Sequence, residues 1–399
     1  MRWIGALGVA VVLAVTAVGP AQAAPATAVA PVAAPVAADC AAQQVPPPPA
    51  AREEAGRTAP PPLPWPSHPV GGDALGSCGI IGPPGVPTVG AASWVLADLD
   101  SGQVLAAHAP HARHRPASTL KVLSALVVRR NLQPDAVVDG EAADVVIDGS
   151  KAGIGPGGHY TVRELLDGML LNSGNDAAQA LARALGGDAA AVKDMSAMAQ
   201  QLGALDTRPA TPSGLDGPGM ASSAYDLALM FRVAMRDPLF AETIGTESVP
   251  FPGYGDLPGF ELTNSNKLLQ NYPDAIGGKA GFTDAARHTL VGAAERDGRR
   301  LVVALMRGEQ EPVPMWRQAA TLLDWGFAQP AGAPPIGQLV DSPPVPDPPP
   351  VTAASGAAVG DARASAAGEV GPSGLPVELI LVTAAVTVSM VLVLRRRAR

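Results

Sequence analysis

Strand signals stand at both ends of the chain's periodic middle, with helical signals between them. That order dictates a sheet assembled from the two ends of one folded unit. At the first end Ser93 to Leu99 alternates as a strand, Asp100-Ser101-Gly102 supplies turn chemistry, and Gln103 to Ala107 returns. At the far end Thr289 to Ala294 and Arg300 to Met306 flank Arg296-Asp297-Gly298 as a second hairpin, and Met315 to Phe327 reads as a closing helix. Between them, Thr161-Val162-Arg163-Glu164 is a capping box ahead of Leu165 to Leu171. Asp176 to Leu185 runs as a helix to Gly186-Gly187, and Ala224 to Met235 forms another. The expected class is α+β, an antiparallel sheet flanked by helices with an inserted all-helical region.

This unit is expected over 88–329, and the composition changes on either side of it. Residues 1–23 read as a secretory signal: Arg2 gives a positive start, Trp3 to Val18 is apolar, and Ala21-Gln22-Ala23 suits a signal peptidase. Residues 24–87 and 330–374 are rich in Ala and Pro, as in Pro46-Pro47-Pro48-Pro49 and Pro348-Pro349-Pro350. They read as an extended arm and a linker. Residues 375–394 form an apolar run with Glu378 near its outer edge, and Arg395-Arg396-Arg397-Ala398-Arg399 follows at once. About 18 to 20 helical residues cross a bilayer, and arginines stay on the cytoplasmic side, so the expected location is exported and anchored by a C-terminal helix. Cys40 and Cys78 are the two cysteines, and an oxidising compartment permits a disulfide between them. A net charge of −8 without a basic stripe excludes nucleic acid as a partner.

Three motifs carry chemistry. In Pro116-Ala117-Ser118-Thr119-Leu120-Lys121, followed by Val122 to Arg130, apolar residues point all round a helix and mark it as buried. Lys121 is the anomaly there: desolvation lowers a lysine's pKa and makes it usable as a base near neutrality. Ser118 lies three residues earlier on the same face, so nucleophile and base are neighbours, as acyl transfer requires. The second motif, Asn172-Ser173-Gly174-Asn175-Asp176, breaks two helices; Ser173 can relay a proton and Asn175 can bind a substrate amide. The third, Gly277-Gly278-Lys279-Ala280-Gly281-Phe282-Thr283, brings a second cation and a glycine-permitted strand edge. Taken singly, each also has a plain explanation, as a chance S-x-x-K spacing on a helix, a helix linker or a strand-entry turn. His108, His111 and His114 recur every third residue, but their Ala-Pro-Arg-rich setting suits surface-loop histidines better than metal ligands.

In order and spacing the motifs match the S-x-x-K, S-D-N and K-T-G set of penicillin-binding proteins and class A β-lactamases. From Ala91 to Phe327 the chain resembles the low-molecular-weight D-alanyl-D-alanine carboxypeptidases, with further matching phrases at Pro212-Ser213-Gly214-Leu215-Asp216, Ser223-Ala224-Tyr225-Asp226 and Leu322-Leu323-Asp324-Trp325-Gly326-Phe327. The resemblance implies a β-lactamase/transpeptidase-like fold with a five-stranded sheet, no cofactor and no metal. It further implies peptidoglycan stem peptides as substrates and β-lactam antibiotics as acylating inhibitors. It also implies roles: Ser118 attacks, Lys121 is the base, and Ser173 and Asn175 complete the catalytic set. Lys279, Gly281, Phe282 and Thr283 bind substrate, with the backbone N–H groups of Ser118 and Phe282 as the oxyanion hole.

A class A β-lactamase needs a deacylating glutamate, yet no Glu lies between Glu164 and Glu242. A D,D-transpeptidase and a catalytically weak wall-binding protein remain as alternatives. Ala280 stands where the family carries threonine, a loss of one hydrogen bond to an anion worth about 1.5–3 kcal/mol. Thr283, Arg307 or Arg317 are the candidates to replace it, and oligomeric state is open.

Overall fold

The computed structural model of the chain describes residues 56–343. β1 (Ile80–Ile81), β2 (Ser93–Asp98) and β3 (Gln103–His108) come first, and a 3₁₀ turn (Ala117–Leu120) runs into α1 (Lys121–Asn131). β4 (Val137–Asp139), α2 (Ala142–Val145), β5 (His159–Thr161), α3 (Val162–Leu171), α4 (Asn175–Ala184), α5 (Asp188–Leu202), α6 (Ala224–Ala234) and α7 (Pro238–Gly245) make the helical region. Then come β6 (Ser248–Phe251), β7 (Phe260–Thr263) and α8 (Lys267–Asn271). The chain closes with β8 (Ala275–Thr283), β9 (Arg287–Arg296), β10 (Arg299–Gly308), α9 (Met315–Ala328) and β11 (Gly337–Gln338).

The main sheet is antiparallel in the order β1-β3-β2-β10-β9-β8, so both ends of the unit contribute strands, as the hairpin signals require. Five of these strands match the expected count. The sheet nevertheless has seven, because β1 and β11 both pair with β3, through Ile80↔His108 and Gly337↔Val104. Left bare, β3 would present an open row of backbone donors and acceptors, and these two-residue pairings cover it. Pairings that short carry no alternation to read, and they come from the segments assigned by composition to the arm and the linker. The same segments supply the buried residues Val70, Leu75 and Leu339. Ordered packing therefore extends beyond 88–329 on both sides.

Period-two alternation sorts the strand side chains between two cores. Val95, Ala97, Val291, Ala293, Val302 and Ala304 face the helical region, while Trp94, Leu96, Leu290, Leu301, Val303 and Leu305 pack on Leu322 and Leu323 of α9. Helix α1 runs through the first core with Lys121, Val122, Leu123, Ala125, Val127 and Val128 all buried. Strand β8 is the opposite edge of the sheet, paired with β9 alone among the described strands. Its free edge is where the site lies. No described helix is long and apolar enough to cross a membrane; the proposed signal (1–23) and span (375–394) lie outside the described residues. Cys78 is disulfide-bonded, and the other cysteine of the chain, Cys40, lies outside them too.

Candidate active site

Ser118 sits on a backbone forced into an unusual path. Ala117, immediately before it, has φ 48°, a left-handed conformation that costs a non-glycine residue about 1–2 kcal/mol. Two glycines hold the bend. A Cβ on Gly281 would come within 2.6 Å of Ser118 N and 3.0 Å of Ala117 Cβ, and one on Gly214 would meet the Ala117 carbonyl. Thr289 of β9 and Thr119 of the turn both donate to the Pro116 carbonyl, at 2.8 and 2.5 Å. The Ala117–Ser118 peptide is thus clasped between β8 and the 213–214 turn, and Ser118 stays partly exposed among buried neighbours.

Lys121 is fully buried. Its Nζ lies 2.9 Å from Ser118 Oγ, 2.7 Å from Asn175 Oδ1 and 2.6 Å from the Ser213 carbonyl. Asn175 Nδ2 donates to the Asp148 carbonyl at 2.7 Å, which fixes the amide so that Oδ1 faces the lysine. Two of the amine's three neighbours can only accept, so they take N–H bonds. In the neutral amine the remaining direction is the lone pair, and it points at the Ser118 hydroxyl. Burial holds the Lys121 pKa well below the ordinary lysine range, the nearby Lys279 lowers it further, and Asp176 opposes both.

Of the other predicted residues, Ser173 is half-buried in a turn with φ 60°, two positions before Asn175. Lys279 is buried, donates to the Ala280 carbonyl at 2.8 Å, and has its pKa lowered by burial to about 7. Gly281 faces the same way as Lys279, since their partners on β9, Thr289 and Val291, both lie on the side of the helical region. Ala280 and Phe282 take the other face, opposite Leu290 and His288, and both are exposed. Thr283 spends its hydroxyl as acceptor for Ala286 N in the turn after β8. Arg307 donates to the Ala285 carbonyl of that turn, and Arg317 lies over Trp316 on α9. Ser213 and Gly214 have no role in the motif reading; the φ of 86° at Gly214 and the bond from Lys121 to the carbonyl of Ser213 give them one.

The histidine expectation is corrected. His111 and His114 are buried rather than on a surface loop. His111 places Nδ1 2.7 Å from Asp206 and Nε2 3.0 Å from the Val70 carbonyl, while the backbone of His114 bridges to Ser222. Arg113, between them, donates to Asp206 and to the carbonyls of Leu63 and Pro64, and its guanidinium stacks 3.5 Å from the Trp65 ring. Charged residues in a short connection looked solvated because the partners that bury them come from distant parts of the chain.

Comparison with known proteins agrees with this geometry. Residues 82–310 match the family model described as D-alanyl-D-alanine carboxypeptidase. The chain is similar to D-alanyl-D-alanine carboxypeptidase DacB2 of Mycobacterium tuberculosis, 51% identical over 61% of this chain and 84% of that protein. A crystal structure of a D-alanyl-D-alanine carboxypeptidase from Mycobacterium tuberculosis superposes with a TM-score of 0.62 at 49% identity, covering 65% of this chain and 99% of that one. The Streptomyces K15 DD-transpeptidase superposes at 0.57 with 30% identity, covering 61% and 99%. With its motifs on a transpeptidase/β-lactamase-like fold and its matched segment spanning more than half its length, the chain belongs to the D-alanyl-D-alanine carboxypeptidase family of serine peptidases.

Proposed function

We propose that this protein removes the terminal D-alanine from peptidoglycan stem peptides through an acyl-enzyme on Ser118 and is acylated by penicillins at the same hydroxyl. Neutral Lys121 takes the Ser118 proton as Oγ attacks the carbonyl between two D-alanines. The N–H groups of Ser118 and Phe282 receive the developing oxyanion, each donor worth about 3–4 kcal/mol in comparable sites. Ser173 passes the proton to the departing D-alanine, and Asn175 and the edge of β8 hold the peptide, with Lys279 attracting its carboxylate. Water then releases the acyl group.

The observation that carries this is the Lys121 amine, buried and bonded to two obligate acceptors, with its third direction on Ser118 Oγ at 2.9 Å. D-Alanine release from a stem pentapeptide, lost in Ser118→Ala, tests it; release that survives the substitution refutes it. The likeness to a DD-transpeptidase favours a second outcome from the same intermediate, capture by an amine. Adding an amine acceptor and finding a new amide product would show it. The reading includes export and tethering, supported by the apolar runs after Arg2 and before Arg395. Recovery of the protein in the soluble cytoplasmic fraction would refute that part.

A further inference from the structure

Asp176 is fully buried on the first turn of α4, one residue after Asn175, and lies outside the mechanism above. Its carboxylate accepts from Ala152 N at 2.7 Å, Gly153 N at 2.9 Å and Ile154 N at 3.3 Å, as well as from Ala177 N at 2.9 Å. Three of these donors belong to the 148–154 loop, which has no regular secondary structure and turns through left-handed glycines at Gly149 and Gly153, with φ 86° and 96°. A segment of that kind keeps one course only if something fixed binds its backbone, and a buried carboxylate is in turn stable only when its lone pairs are taken.

The loop so held grips the catalytic turn from both sides. Asn172 Nδ2 donates to the Lys151 carbonyl at 2.8 Å; Asn175 N donates to Ser150 O and Asn175 Nδ2 to Asp148 O, both at 2.7 Å. Ser173 stands between these anchors in its left-handed conformation, and Asn175 presents Oδ1 to Lys121. Two buried amines, Lys121 and Lys279, lie on this side of the domain, and the charge of Lys279 acts on Lys121. The charged groups acting on Lys121 are Lys279 from β8 and Asp176 from α4; its other contacts, Ser118, Asn175 and the Ser213 carbonyl, are neutral. On the loop side Asp176 is also felt by the Tyr160 hydroxyl.

Building on the serine-peptidase reading, we propose that Asp176 is a positioning residue for the reaction. It folds the 148–154 loop into a template for Asn172, Ser173 and Asn175, and it places a buried negative charge near the Lys121 amine. The two roles separate experimentally. An anion near an amine favours the ammonium form, so deleting the charge lets Lys121 become a base at lower pH. Keeping the charge while displacing it damages the template alone.

The test is the second-order rate of Ser118 acylation by a fluorescent penicillin as a function of pH, for the whole protein, Asp176→Asn and Asp176→Glu. Asp176→Asn loses about 10²-fold at neutral pH, the scale of a displacement on the order of 1 Å, and its acid limb moves to lower pH. Asp176→Glu is slowed but keeps the wild-type limb. An asparagine variant as fast as wild type, or slow with an unmoved limb, overturns the proposal. Should either variant fail to fold, amide exchange on the unmutated protein decides: Ala152 and Gly153 N–H groups exchange slowly if Asp176 holds the loop, and rapid exchange rejects it. Wild-type protein that takes no label overturns the peptidase reading itself, and the proposal with it.

Discussion

Gly281→Ala tests the clasp on the nucleophile with a single methyl group. The added carbon would sit 2.6 Å from Ser118 N, 2.7 Å from Thr289 Oγ1 and 3.0 Å from Ala117 Cβ. Carbon contacts are favourable at about 3.5–4.0 Å, so relief needs a displacement of about 1 Å between β8 and the Ser118 turn. Strand β8 is the partner that yields, because among the described strands it is hydrogen-bonded only to β9. In the proposed mechanism such a shift separates the two oxyanion donors, the N–H groups of Ser118 and Phe282, and losing one donor costs about 10²–10³ in rate, or 2.7–4 kcal/mol. Overpacking at an edge costs stability by about 1–3 kcal/mol, so the domain stays folded. The assay is the acylation rate with a fluorescent penicillin, beside a thermal melt. A folded variant acylated as fast as wild type would show that the approach of β8 to Ser118 does not form the oxyanion site.

Lys279 has its pKa lowered from 10.5 to about 7 by burial. The unfolded lysine keeps its proton up to the higher value, so unfolding takes up a proton between about pH 7 and 10.5 and stability rises with pH across that window. Lys279→Met should reduce that rise in denaturant titrations and stabilise most at the acid end; an unaltered slope refutes the burial argument. Arg113→Ala leaves Asp206 buried without one of its cationic partners and releases the carbonyls of Leu63 and Pro64, a loss of about 3–5 kcal/mol. A lower melting temperature and protease cleavage within residues 56–75 are expected, and an unchanged melt with no cleavage contradicts it. Ala280→Thr, at an exposed position that needs no repacking, should raise turnover of a D-Ala-D-Ala peptide by about tenfold or more if its hydroxyl reaches the terminal carboxylate. No gain shows that the face opposite Lys279 and Gly281 is out of reach.

Periodic and capped elements were legible from sequence. The Thr161 and Glu164 side chains exchange bonds with each other's backbone as the capping box requires, and β2, β3, β9 and β10 fall where alternation and turn residues placed them. The pairing of Ser118 with Lys121 was legible because a lysine in an all-apolar helix is costly unless it is partnered, and its amine lies 2.9 Å from Ser118 Oγ. What escaped depends on contacts far apart in sequence. The β1 and β11 pairings are too short to show a period, and the β6–β7 hairpin lacks a tight two-residue turn, since eight residues lie between its strands. Helix α7 did carry a signal, Asp237 as N-cap before Pro238. The burial of His111, Arg113 and Asp176 follows from partners 24 to 95 residues distant, which local composition cannot reveal.

The central claim is that the Lys121 amine takes the proton of Ser118 Oγ. Mass spectrometry of the protein after exposure to benzylpenicillin reads its consequence directly. The account predicts a single adduct of the antibiotic's mass on the peptide containing Ser118, absent from Ser118→Ala and formed far more slowly by a folded Lys121→Met. An adduct that persists in Ser118→Ala, or forms at the wild-type rate without Lys121, would contradict it.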